Sequence, residues 1–435
     1  MKYIFIFVTL MLAVLAALPA TAQAMTKPNI VLILADDMGI ECLSAYGGTS
    51  LKTPNLDKLA AQSMRFLRCF SNPYCSPSRA SLLTGRYPFQ NGLTTVLDTL
   101  DKEEIYLRPD QPSFARQLKQ TGYATQLVGK WHVALEHKHN TINEFGFDQY
   151  QTWRIFDEKG EKTTRYWTPY LIRNGTVIKD QIKERYGPDV DLELYLDFIK
   201  SSAAKQQPFL AYYSTCLPHF PWEPTPDSVD KSYRQPYSGH KGDPKYFPDM
   251  VAYFDKQVGK ILQTLEELNI ADNTIVMFLA DNGTDQGLTV QWGNTKSIRG
   301  GKGTLTDRGT HVPLVVRWPG HIKTGTTCND LIDFSDFFPT LCELTGAPMP
   351  EAKIQGQSFA PQLLGKTGTP REWIHIQHEG KRQVRNGEYM LNNKGELRPV
   401  VELWQEPAKP IENKDSDKEA TVRKSLQKVF DVLGK

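Results

Sequence analysis

Cys75 opens the run Cys75-Ser-Pro-Ser-Arg79-Ala-Ser-Leu-Leu-Thr-Gly85-Arg, in which Pro77 sits where a first helical turn starts and the apolar Leu82 and Leu83 follow one turn later. The pattern predicts a helix with Cys75 at its N-terminus. Free N–H groups and the positive end of the helix dipole favour an anion there, and Arg79 adds a fixed positive charge. Two further pairs supply oxygen: Asp36-Asp37 and Asp281-Asn282 each follow a continuous apolar run, NIVLILA at 29–35 and TIVMFLA at 274–280. Four hard oxygen donors at two strand ends are what a divalent cation such as Ca²⁺ or Mg²⁺ requires. Gly129-Lys130-Trp131-His132 follows another expected strand, so Lys130 and His132 would share one side of an extended segment. His219 stands between prolines in Leu217-Pro-His-Phe-Pro, and Lys302 lies in Arg299-Gly-Gly-Lys-Gly, whose glycines would let the backbone come close to a ligand. Taken singly, each has a plainer reading: a buried structural thiol, turn-capping aspartates, a core histidine, a solvated loop lysine.

The elements that must hold these residues alternate. Runs 29–35 and 274–280 read as strands buried on both faces, with further strands at 124–128, 209–214 and 314–318. Helical patterns occupy 54–66, 113–121, 192–204 and 247–268. The expectation is an α/β fold: a large, doubly wound mixed sheet flanked by helices, with ligands outside the carboxyl ends of its strands. From about residue 350 the texture changes to short antiparallel strands at 373–378, 382–385, 389–392 and 400–404, separated by turns such as Asn386-Gly387 and Lys394-Gly395. A polar stretch, 406–419, leads into an amphipathic helix at 420–433. The expected division is a main domain over 25–349 and a smaller α+β unit, an antiparallel sheet plus terminal helix, over 350–435.

Residues 1–24 read as a secretory signal peptide: an apolar run from Ile4 to Leu18, too short to span a membrane, then the small-x-small Ala22-Gln23-Ala24. No Cys follows the cleavage point to carry a lipid, so a secreted or periplasmic chain without a stable membrane anchor is expected. A net charge of +2 with scattered Lys and Arg lacks the basic stripe of a nucleic-acid binder. Six cysteines in 435 residues do not make a disulfide framework, although export would permit one or two bridges.

The run CSPSRASLLTGR resembles the signature of the type I sulfatases, arylsulfatase-like members of the alkaline-phosphatase-like superfamily. The resemblance extends in order through KPNIVLILADDMG (27–39), TPNLDKLA (53–60), GYATQLVGKWH (122–132), GFD (146–148), PHFP (218–221), ADNG (280–283) and GGKGTLTDRGTHVPLVVRWPG (300–320). It implies that a formylglycine-generating or sulfatase-maturing enzyme oxidises Cys75 to Cα-formylglycine (3-oxoalanine) before folding, recognising Pro77 and Arg79. It further implies that Asp36, Asp37, Asp281 and Asn282, with modified residue 75, hold one divalent cation, Ca²⁺ in preference to Mg²⁺. By the same resemblance Lys130 binds sulfate and the hydrated aldehyde, and His132 handles the proton that regenerates the aldehyde. His219 reaches the ester oxygen, and Lys302 is the second active-site lysine. Arg79, Lys130, Lys302 and the cation would together neutralise the sulfonyl oxygens.

The activity implied is release of inorganic sulfate from an organic sulfate ester. Export, with Trp153, Tyr166, Trp167, Tyr170, Trp222, Tyr233 and Tyr237 in expected loops, points to a sulfated polysaccharide or its oligosaccharides, of algal or glycosaminoglycan type, because aromatic faces pack on sugar rings. Simple aryl or alkyl sulfates, phosphoesters or phosphonates, and a non-catalytic glycan-binding role are the competing readings. Two departures bear on specificity. Asp307-Arg308-Gly309-Thr310-His311 replaces the Glu-Gly-Gly-x-Arg of many relatives, and Leu403-Trp404-Gln-Glu-Pro replaces their usual Tyr-Asp-Leu-x-x-Asp-Pro.

Overall fold

The computed structural model describes residues 27–230, 242–411 and 416–434. The expected leader, Tyr233 and Tyr237 lie outside them. In chain order the first strands are β1 (Asn29–Ala35), β2 (Met64–Phe70), β3 (Ala124–Gly129), β4 (Gln149–Trp153), β5 (Leu171–Arg173), β6 (Thr176–Val177), β7 (Phe209–Ser214) and β8 (Thr274–Ala280). Then come β9 (Thr289–Trp292) and β10 (Lys296–Arg299), a separate hairpin, followed by β11 (His311–Arg317), β12 (Thr326–Cys328) and β13 (Ile332–Asp333). The large sheet runs β12-β2-β11-β8-β1-β7-β3-β4-β5-β6, with β13 also on β2. Its middle, β8-β1-β7-β3-β4, is parallel, while β11 pairs antiparallel with both β8 and β2.

Every side chain of β1 and β8 is buried, as their unbroken apolar sequences require of strands covered on both faces. The covering helices include Pro54–Ala61, Gly187–Ala204 and Phe247–Glu267 in one group, and Cys75–Thr84, Phe114–Gln120 and Phe337–Thr345 in another. The helix expected over 54–66 stops at Ala61, because Met64 already belongs to β2, which pairs antiparallel with β11.

The small antiparallel sheet is β14 (Ile374–His378), β15 (Lys381–Arg385), β16 (Tyr389–Asn392) and β17 (Leu397–Pro399), paired in that order. Helix Asp417–Leu433 buries Leu426 and Phe430 against Val384, Leu391 and Leu397. It starts earlier than the periodicity at 420–433 predicts, because Ser416 and Glu419 form a reciprocal capping box. The strand expected at 400–404 is absent. The ladder ends at Pro399, and Leu403 leaves the sheet to pack with Ile40 and Ile298 of the large domain. Among the described residues no helix is long and apolar enough to cross a membrane.

Candidate active site

Parallel register assembles the site. Ala35 of β1 pairs with Ala280 of β8, Leu34 with Ser214 of β7, and Ser214 with Gly129 of β3, so four strands end level. Asp36, Asp281 and Lys130 therefore leave the sheet side by side. Asp281 N–H donates to Ala35 O (3.0 Å), and the N–H of Asp37, in the left-handed region at φ 64°, donates to Asp281 Oδ1 (3.1 Å). Gly129 has no room for a side chain: a Cβ would stand 2.1 Å from Ser214 O, to which Lys130 N–H donates. Lys130 and His132 do not lie on an extended segment, since Gly129 and His132 both have positive φ (107° and 57°). The turn nevertheless brings both to one cavity.

Cys75 is the first residue of the helix Cys75–Thr84, with Tyr74 as the preceding cap position. Its Sγ lies 3.4 Å from Asp36 Oδ1 and 3.9 Å from Asp37 Oδ1. Burial and the nearby Asp281 push the thiol well above its ordinary range, so an unmodified Cys75 is a poor nucleophile. Arg79 is fully engaged: Nε and Nη2 donate to Asp281 Oδ2 (3.0 and 2.7 Å), and Nη1 donates to Lys130 O (3.0 Å) and Ser214 Oγ (2.5 Å). It does not line the cavity; it holds Asp281 and the Lys130 backbone in place, with its charge 3.7 Å from Asp36 Oδ1.

Lys130 Nζ donates to Asp36 Oδ2 (2.7 Å). Burial would raise the Asp36 carboxyl, but Lys130 and Arg79 outweigh it and hold the group well below the usual carboxylate range. Lys302 Nζ lies 2.7 Å from each Asp37 oxygen and 3.1 Å from His219 Nε2. Burial would lower the ammonium, yet the Asp37 carboxylate raises it, so Lys302 stays charged. His219 sits with Nδ1 2.6 Å from Phe220 O, a contact only Nδ1–H can make, which leaves Nε2 as a lone pair. His132 is the opposite tautomer: Nε2–H donates to Leu97 O (2.8 Å), and Nδ1 is buried with no partner among the described residues. Burial, with Lys302 beside His219 and Lys130 beside His132, holds both rings well below the ordinary histidine range and therefore neutral.

The donor set fits a hard cation. Asp36, Asp37 and Asp281 bring three carboxylates into a space where each is at most 2% exposed, and burial with the Asp36 charge pushes Asp281 up to about 6. Beside them Asn282 donates from Nδ2 to Asp37 Oδ1 (2.8 Å) while its Oδ1 is buried with no donor among the described residues. An orphaned amide oxygen beside clustered carboxylates is the arrangement an oxygen-seeking ion satisfies. Ligand atoms of Cys75 and His219 fall within 4.8 Å of those of Asp36 and Asp37, but the His219 lone pair already faces the Lys302 ammonium.

Residues 28–347 match the family model described as Sulfatase. The chain belongs to the sulfatase family. It is 33% identical over 404 residues to the N-acetylgalactosamine-6-sulfatase of Canis lupus familiaris, covering 87% of this chain and 74% of that one. Identity to human Arylsulfatase A is 30% over 402 residues (87% and 77% covered), and to the N-acetylgalactosamine-6-O-sulfatase of Bacteroides thetaiotaomicron 31% over 451 residues (88% and 85%). The fold is shared with the crystal structure of Ps i-CgsB, at a TM-score of 0.75, 24% identity and coverage of 94% and 92%. The protein is thus an enzyme that hydrolyses sulfate esters.

In this sulfatase, Cys75, Lys130, His132, His219 and Lys302 face one cavity of about 350 Å³. Its walls also carry Tyr74, Trp153, Lys162, Arg165 and Phe220, of which the sequence pattern singled out only Trp153. Tyr166 and Trp222 are core residues instead, Tyr166 donating its hydroxyl to Cys216 O at 2.7 Å. The glycines around Lys302 make close approaches to protein, not to a ligand: a Cβ on Gly300 would stand 2.1 Å from Asp285 O, and one on Gly301 2.4 Å from Arg308 Cβ. The segment Asp307–Thr310 forms a single helical turn that braces the Lys302 loop from outside. Arg308 Nε donates to Leu403 O (3.0 Å), Gln383 Nε2 donates to Leu305 O (2.9 Å), and Arg385 ion-pairs with Asp307.

Proposed function

We propose that this sulfatase removes sulfate from a sulfated carbohydrate, using formylglycine made from Cys75 and one bound Ca²⁺. The observation that carries this reading is the convergence of two ammonium groups and two neutral histidines of opposite tautomer on buried residue 75, inside a cavity walled by Tyr74, Trp153 and Phe220. The names of the relatives from dog and Bacteroides thetaiotaomicron, both sulfatases of N-acetylgalactosamine, support the substrate class.

Sulfate monoesters hydrolyse slowly, and the site must hold the anion and stabilise the departing alkoxide. Lys130 and Lys302 carry the positive charge that receives the sulfonyl oxygens. Lys302 holds a proton on the leaving-group side, kept there by Asp37 and turned toward His219 Nε2. The Nδ1 lone pair of His132 is the base that collects a proton from residue 75. The hydrated aldehyde would supply the nucleophile together with a second hydroxyl that allows its own regeneration. Asp36, Asp37, Asp281 and Asn282 would hold the cation, which would polarise a sulfate oxygen. Residue 75 is 0% exposed, so the maturation enzyme this reading requires acts on the chain before it folds. The apolar leader at 4–18 supports export.

The test is sulfate release from sulfated oligosaccharides of defined linkage, run beside matched aryl sulfate, aryl phosphate and phosphonate. Turnover of the sugars is expected. Activity confined to the aryl ester, or faster turnover of the phosphorus esters, would replace this reading.

A further inference from the structure

The reaction as assigned uses Lys130, Lys302, His132 and His219, and leaves two cations of the same cavity without a task. Lys162 and Arg165 lie between β4 and β5 and line the wall formed by Trp153 and Ile155. Arg165 is only 7% exposed. Its guanidinium lies over the Trp153 ring, 4.2 Å from the centroid, and donates to Phe220 O, which fixes it next to the His219 turn. The stem of this loop is closed by a bridge between Phe156 and Lys162, with Thr163 N–H donating to Ile155 O (3.0 Å).

Lys162 is exposed to the cavity, and its ammonium has no carboxylate partner among the described residues. The carboxylate across from it, Asp98, is paired with Lys102 at 2.8 Å. Glu223, the buried carboxyl whose charge Arg165 feels, is not on the cavity wall. Burial bears on Lys162 first, then the attraction of Asp98 and the repulsion of Arg165, and an anion seated on this wall would be attracted by both cations. A planar guanidinium fixed over an aromatic face, with an exposed ammonium on the same wall, matches a carboxylate or sulfate group.

We propose that Lys162 and Arg165 form a second anion subsite, and that the substrate is an oligosaccharide carrying, besides the ester that is cleaved, another anionic group: a uronate carboxylate or a further sulfate. This rests on the sulfated-carbohydrate reading and narrows it. A neutral sulfated sugar would fill the catalytic end of the cavity and leave the Lys162–Arg165 wall facing water.

The experiment compares three oligosaccharides identical in the ester cleaved, whose neighbouring sugar is neutral, a uronate or sulfated, with matured wild type, Lys162→Gln and Lys162→Arg. Wild type is expected to prefer at least one dianionic substrate about tenfold in kcat/KM, through KM. Lys162→Gln should abolish most of that preference with kcat little altered, and Lys162→Arg should restore it. Whichever dianionic substrate loses more identifies the group bound. A preference absent in wild type, or a KM increase in Lys162→Gln that is equal for all three substrates, overturns the subsite while leaving the carbohydrate reading intact. If wild type cleaves none of the three but cleaves an aryl sulfate, the carbohydrate reading falls and takes the subsite with it.

Discussion

Lys302 Nζ stands 3.1 Å from His219 Nε2, and because the Nδ1–H of His219 is committed to Phe220 O, the proton between them belongs to the lysine. The family resemblance implies that His219 reaches the ester oxygen. In the reaction proposed above, Lys302 would bear the proton and His219 would aim it.

Proton delivery matters more for a sugar alkoxide than for a stabilised phenolate. His219→Ala is therefore expected to lower kcat/KM on the order of 10² to 10⁴ with a sugar sulfate and clearly less with an activated aryl sulfate. Steady-state rates on the matched pair decide it; equal losses would assign His219 to sulfate binding or support. His132→Ala should instead bring both substrates to one slow rate, with a burst of released phenol in the first turnover.

Arg79 and Asp281 are buried together, and removing one partner leaves the other as an uncompensated charge. Arg79→Ala is expected to destabilise the fold by about 3–5 kcal/mol in urea titrations. Cys75→Ala, which removes only a buried thiol, should abolish turnover with a far smaller change in stability. Mass analysis of the tryptic peptide containing residue 75 should find an aldehyde in active wild-type protein. A fully active Cys75→Ala protein would falsify the assignment of the nucleophile.

Asn282 contributes a buried oxygen that accepts from no donor among the described residues, so Asn282→Leu should weaken Ca²⁺ binding measured calorimetrically by at least tenfold. Chelation should remove wild-type activity, with Ca²⁺ restoring it better than Zn²⁺, which prefers nitrogen and sulfur ligands. Normal turnover by a metal-free preparation would exclude the ion from the reaction.

Outside the site, His375 of β14 is 2% exposed, and burial with the adjacent Arg382 pushes its ring down to about 3. A histidine lowered in the folded state stays neutral there while the unfolded chain takes up protons near pH 6.5. Its contribution is complete above about pH 6.5 and is lost progressively as pH falls toward 3. The unfolding free energy of wild type should accordingly drop more steeply than that of His375→Gln between pH 7 and pH 4, by up to about 3 kcal/mol. Parallel profiles would show that the His375 ring takes up its proton in the fold at the same pH as in the unfolded chain.

Much of the fold is legible in the sequence. NIVLILA and TIVMFLA announce themselves because a parallel strand covered on both faces must be apolar throughout, and the acidic pairs that follow mark where each leaves the core. β2 escaped notice because MRFLRCF carries Arg65 and Arg68, which reach out of the sheet to accept neither burial nor solvent alone: they donate to Ala45 O and Asn329 O. Such partners are distant in sequence and leave no local pattern. Lys162 and Arg165 were invisible for the same reason, since only the path of the β4–β5 connection brings them to the cavity. Among the aromatics, Trp153 and Tyr166 look alike in sequence. One lines the cavity and the other supports the His219 turn from below, with its hydroxyl on His219 O (2.5 Å).

The bonds from Gln383, Arg385 and the Leu403 carbonyl to the Leu305–Arg308 segment mean that residue 302 leaves the ribosome long before the residues that clamp its loop exist. A nascent chain can therefore lay down β1, β3, β7 and β8 and still present an unfinished centre. A protein ending at residue 370 would keep every residue of the chemistry and is expected to bind an aryl sulfate weakly and turn it over poorly. For the same reason, substitutions in the terminal sheet can retune Lys302 from a distance, giving selection a handle on the reaction that leaves the cavity wall untouched.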